Sequence, residues 1–141
     1  HCFKYVARGE PGQRNRLNLV QQFSAVTAAC LVVKKSIFDK VNGFEEEHLG
    51  VAFNDIDLCL RIREAGYANL WTPYAQLFHH ESLSRGDDND KTRKIRVDNE
   101  IDFMRKRWKD RLRFDPTYNP NLTLEYEDFS LAWPPRLPLI Q

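Results

Sequence analysis

Cysteine is scarce and scattered here: Cys2, Cys30 and Cys59 are the three in 141 residues. None forms a C-x-x-C pair, so neither a disulfide framework nor a zinc knuckle is supported, and buried, reduced thiols are expected. No apolar run approaches the ~18 residues needed to cross a bilayer, and no secretory n-region and h-region open the chain. A cytoplasmic protein, or one peripheral to a membrane, is the expectation. An excess of one charge is also missing. Lys and Arg total 21 against 20 Asp and Glu, a net charge of +1, which argues against the concentrated positive surface of a general nucleic-acid binder. No P-loop, G-x-G-x-x-G, Ser/His/Asp or Cys/His arrangement appears, and no internal repeat. The first residue is His1, which suits an excised fragment.

What is present fits one domain with a core. Hydrophobic residues make up 42% and aromatics 12%, and a chain of this size buries roughly 70% of its extended surface. Residues 1–22 are polar and broken by Gly9, Pro11 and Gly12, a loop or linker. From Phe23 to Val33 the chain turns small and apolar, which predicts a strand buried on both faces. Ser36 is placed to cap a short helix carrying Ile37, Phe38 and Val41, stopped by Asn42-Gly43.

An acidic loop with Glu45, Glu46, Glu47 and His48 follows. Asn54 is then a good N-cap for a second helix, with Asp57 in the reciprocal capping position. Ile56, Cys59, Leu60 and Arg63 share one face of it, and Gly66 supplies the stop. Short extended segments cover Asn69 to Thr72 and Gln76 to His79, separated by Pro73. A long helix is predicted from about Asn89 to Arg111, with Val97, Ile101, Met104 and Trp108 as its apolar stripe. Its many basic residues are interleaved with acidic ones, the pattern of a solvated face with paired charges. From Phe114 onward the chain is Pro-rich and aperiodic, which predicts an extended arm.

Several side chains could carry chemistry. Asp55 lies in the first turn of the second helix, where the dipole favours a negative charge. It can either stabilise that helix start or accept a proton in a cleft. His79 in His79-His80 can ligate a cation or hydrogen-bond within a turn. Arg85 in Ser84-Arg85-Gly86 suits a diphosphate, because guanidinium forks match phosphate oxygens, or else a surface salt bridge.

The order Asn54-Asp55-Ile56-Asp57-Leu58-Cys59-Leu60-Arg61, then Ala65-Gly66-Tyr67, then Pro73 through His79-His80-Glu81-Ser82 resembles the acceptor-side half of family 2 glycosyltransferases with the GT-A fold. These enzymes move a sugar from a nucleotide-sugar to an acceptor hydroxyl. The resemblance runs from Phe23 to Gly86 and, more faintly, into the next helix. It implies an α/β fold: a partial GT-A-like, Rossmann-related mixed sheet flanked by helices, with an extended C-terminal arm. Residues 1–22 would be linker, 23–113 the acceptor-side half-domain and 114–141 the tail.

Similar enzymes carry a Glu-Asp pair at this helix start with the Asp as catalytic base, which matches Asp55; Asn54 stands where the family often has Glu. His79 would complete the coordination of Mn²⁺ or Mg²⁺. Arg85 would contact the leaving diphosphate, and Thr27 and Asn54 would border substrate. Arg107-Trp108 is similar to the Arg-Trp ending of processive synthases, but the helical stripe already accounts for Trp108. No Asp-x-Asp follows a hydrophobic strand, so the nucleotide-holding half is absent and the chain alone should bind a cation weakly. The implied partners are a nucleotide-sugar donor, a glycan or lipid-linked acceptor and the missing N-terminal half. A homo-oligomer of the fragment is expected from its exposed strand edge. A different class of function is also open: a non-catalytic interaction module on the same scaffold.

Overall fold

The computed structural model describes residue 3 and residues 6–78, 90–126 and 129–136. Strand β1 (Gln21–Phe23) pairs antiparallel with β2 (Asn69–Trp71), with Gln22 opposite Leu70. Three helices accompany them: α1 (Lys35–Lys40), α2 (Asn54–Glu64) and α3 (Asp90–Trp108). The fold is mixed α/β, with a two-stranded antiparallel sheet among the described residues in place of the mixed sheet expected. None of the helices is long and apolar enough, over the described residues, to cross a membrane.

The predicted strand over Phe23–Val33 is not formed. Only its first residue belongs to β1, and a short 3-10 turn occupies Ala28–Cys30. The reason is local competition for the backbone. The Thr27 hydroxyl accepts from the Ala29 N–H at 3.2 Å, and Asp55 takes the Ala28 N–H, so these donors are not available to a ladder. The segment is not buried on both faces either: Val32 is 94% exposed, and Cys30 is exposed against the expectation of buried thiols.

Helix α1 starts from Lys34 instead of Ser36, which lies inside it. Its end is as predicted. Asn42 and Gly43 both take positive φ, and the Gly43 N–H returns to the Phe38 carbonyl at 2.9 Å. A Cβ at Gly43 would sit 3.0 Å from the Phe38 ring, so the position needs glycine on two counts.

Helix α2 is capped by Phe53, in the left-handed region at φ 63°, and Asn54 is its first helical residue, not its cap. The Phe53 ring packs with Leu49, Met104 and Trp108, and this burial holds the backbone in that conformation. The helix carries two apolar stripes, not one. Leu58 and Ile62 join Val41, Ile37 and Phe38, whereas Ile56 and Leu60 join Leu49, Met104 and Trp108. Residues two apart on a helix differ by about 200°, so α2 is sandwiched between two core clusters. Gly66, at φ 90°, ends it.

In α3 the predicted stripe holds. Met104 and Trp108 are buried, and Val97 and Ile101 are half-buried. The tail is not a simple extended arm. Thr123 N–H donates to the Ser130 carbonyl at 2.9 Å and Ala132 N–H to the Asn121 carbonyl at 2.8 Å, so the chain turns back on itself. Phe129 packs in that return against the rings of Phe3 and Tyr118.

Candidate functional site

Asp55 sits where α2 begins, half-buried, beside the segment 24–29. Three side chains fasten that segment to the helix. The Asn69 amide donates to the Ser24 and Cys59 carbonyls at 2.9 and 3.0 Å. The Cys59 thiol lies against the Val26 backbone, accepting from its N–H at 3.5 Å. Asp55 Oδ2 accepts the Ala28 N–H at 3.1 Å, and its Oδ1 accepts the Ile56 N–H at 2.8 Å. Asp55 and the Thr27–Ala29 turn, far apart in sequence, are thus neighbours in space. Asn54 adjoins them, half-buried. His79 and Arg85 lie outside the described residues.

A carboxylate held by two backbone N–H groups at a helix N-terminus is anchored but retains free lone pairs. It can therefore accept a proton from a hydroxyl brought against the open side. Both Asp55 and the turn that faces it are fixed by α2, which is itself wedged between two cores, so the carboxylate is rigidly placed.

Asp57 has a different role from the capping assigned to it. It is fully buried, with Oδ2 accepting from Arg61 Nε at 2.7 Å and Oδ1 accepting from Trp108 Nε1 at 3.0 Å. Arg107 Nε lies 3.3 Å from the same Oδ1. Its carboxylate points towards α3, because the cap has moved to Phe53 and Trp108 brings an indole N–H that needs an acceptor. Arg61 continues the network to the Val41 carbonyl at the end of α1. The spacing of Asp57 and Arg61 was a visible i,i+4 pair; the indole partner had no local signal.

Glu100 was also missed. It was read as part of a solvated face, yet it is buried, and its two oxygens accept the Val51 and Ala52 N–H groups at 3.1 and 2.9 Å. This fixes the loop that leads into α2 and so the approach to Asp55. On the same loop, the His48 imidazole bonded to Glu45 holds the Glu45 carboxyl below its usual range; partial burial opposes this and Arg107 adds to it.

Burial pushes the Cys59 thiol upward, with the Val26 N–H acting against it. In a Cys2→Ser background, a thiol-reactive dye should therefore label Cys30 in the folded protein and Cys59 only in denaturant. Two thiols reacting at equal rates without denaturant would contradict the packing at Cys59.

Sequence comparison adds three partial relatives. The chain is 56% identical over 119 residues to the uncharacterized protein y4gI of Sinorhizobium fredii, covering 84% of this chain and 13% of that protein. It is 33% identical over 107 residues to the O-antigen biosynthesis protein RfbC of Myxococcus xanthus, covering 76% of this chain and 8% of that one. It is 35% identical over 63 residues to the N-acetylglucosaminyl-diphospho-decaprenol L-rhamnosyltransferase of Mycobacterium tuberculosis, covering 45% of this chain and 20% of the enzyme. No family model matches the chain. No solved structure matches it. The chain spans no more than a fifth of the length of these relatives, two of which are named for O-antigen biosynthesis and for rhamnosyl transfer.

Proposed function

We propose that the chain is the acceptor-side part of a family 2, GT-A-type glycosyltransferase that moves a sugar from a nucleoside-diphosphate donor to a hydroxyl of a growing glycan or lipid-linked acceptor. The observation that carries this reading is the placement of Asp55 against the Thr27–Ala29 turn, in a sequence related to a rhamnosyltransferase. In this reading the acceptor hydroxyl approaches the open side of Asp55, which takes its proton as the oxygen attacks the sugar. Thr27 and Asn54 border the reacting sugar, and Arg85 contacts the leaving diphosphate. The donor nucleotide is held by another part of a longer protein.

A divalent cation, when bound in such enzymes, neutralises the diphosphate. His79 would contribute to holding it. Among the described residues, three donor atoms from His, Cys, Asp or Glu gather closely enough for one ion only at Glu45, Glu47 and His48, a group that does not include Asp55. The test is transfer, or nucleoside diphosphate release, by the longer protein carrying Asp55→Asn. Turnover at the unsubstituted rate would remove Asp55 from the reaction.

The isolated chain should also self-associate. Leu70, on the two-stranded sheet, is 63% exposed, and Tyr74, Leu77 and Phe78 after it are exposed too, an apolar run of the kind that seeks a partner. Light scattering over a concentration series should show mass rising above that of one chain. A constant monomer mass would mean that these side chains are tolerated in water.

A further inference from the structure

The loop between α1 and α2 carries a group of side chains that the transfer reaction does not use. We propose that Glu45, Glu47 and His48 form a binding site for a divalent cation of the zinc class. This inference stands apart from the glycosyltransferase reading, since it invokes neither Asp55 nor a sugar.

The first support is the donor geometry. One ligand atom from each of the three side chains lies within 4.8 Å of the other two. Glu45 Oε1 and His48 Nδ1 are 3.2 Å apart. Metal–ligand bonds of about 2.0–2.1 Å in a tetrahedron put neighbouring ligands roughly 3.3 Å apart, so this edge already has the needed length. The donor set is mixed, one imidazole and two carboxylates. Three protein ligands with a fourth, open position suit zinc, whereas Mg²⁺ and Ca²⁺ require six or more oxygens.

The second support comes from α3, outside the loop. Arg107 Nη1 holds the far oxygen of Glu45, Oε2, at 3.2 Å, which leaves Oε1 aimed at the imidazole. Phe103 lies flat under the His48 ring, with centroids 4.5 Å apart and planes 8° from parallel. Glu45 is thus hydrogen-bonded from outside the loop, as ligating carboxylates commonly are, and Phe103 sets the plane of the His48 ring. Glu47 and His48 also border an open hollow of about 630 Å³ shared with Thr92, Arg96 and Asn99. That hollow lets water reach the Glu47 and His48 side of the group.

The test is isothermal titration of the untagged chain with ZnCl₂ and, separately, MnCl₂, in a Cys2→Ser/Cys30→Ser background that removes competing thiols. One Zn²⁺ per chain is expected, with Mn²⁺ bound at least about tenfold more weakly, as imidazole-containing sites prefer. His48→Gln and Glu47→Gln should each weaken Zn²⁺ by about tenfold or more while the circular dichroism stays unchanged. With Co²⁺ as probe, the strong visible bands of tetrahedral coordination should appear in the parent and fade in His48→Gln. Zn²⁺ binding weaker than about 1 mM, or binding of equal strength in the parent and both variants, overturns the proposal. Because both side chains are exposed, either variant can decide it if the other folds poorly.

Discussion

Replacing Asp57 with alanine is expected to lower the free energy of unfolding by about 3–5 kcal/mol, the cost of stranding a buried charge. The carboxylate is 0% exposed and accepts from Arg61 at 2.7 Å and Trp108 at 3.0 Å. Without it, a guanidinium whose side chain is 12% exposed keeps its charge and loses its carboxylate partner. The indole N–H of a buried tryptophan is orphaned as well. The network also joins α2, α3 and the end of α1 through the Val41 carbonyl, so its loss loosens all three. The Lys35–Asp39 pair is the matched control, with the same i,i+4 spacing but side chains 85% and 55% exposed. Asp39→Ala should cost less than about 1 kcal/mol. Urea unfolding followed by tryptophan fluorescence measures both. A small domain has about 5–15 kcal/mol in total, so the Asp57 variant should unfold at visibly lower urea. If the two variants unfold together, Asp57 is not the hub that joins these helices.

The second large effect concerns chemistry and not folding. Asp55→Asn in the longer protein should cut the transfer rate by about 10²–10⁴-fold, the usual contribution of a positioned general base, equivalent to about 3–5 kcal/mol of barrier. The amide is nearly isosteric and keeps an oxygen for the Ala28 N–H. The fold should therefore survive, and a thermal melt within a few degrees of the parent would show that it has. Asp55→Ala removes both the proton acceptor and the bond to the turn, so it should lose the same activity and some stability. Unchanged turnover in Asp55→Asn, with a normal melt, would leave Asp55 as only the anchor of the Thr27–Ala29 turn.

Some of this site was readable in advance. Helix α2 and its first-turn Asp55 were located from a capping signal and a glycine stop, although the cap moved back one residue to Phe53. The stripe ending in Trp108 was found from its period. What failed was the segment after Phe23, where composition suggested a strand and, among the described residues, no neighbouring strand pairs with it. Thr27 and Asp55 claim its backbone donors instead. The second stripe on α2, Leu58 and Ile62, was passed over because a helix packed on two sides shows no single apolar face. Exposure of Cys30 follows from the same missing strand.

Local chemistry in the sequence determined where the helices run, which glycines stop them and which face of α3 turns inward, because each depends on neighbours within one or two turns. Tertiary structure alone decided that Asp57 meets Trp108 across 51 positions, that Glu100 clamps the loop before α2 from 48 and 49 positions away, and that Asp55 faces a turn 27 residues earlier. Carboxylates bind whatever donors the packing delivers, and no periodic pattern records a donor that arrives from so far along the chain.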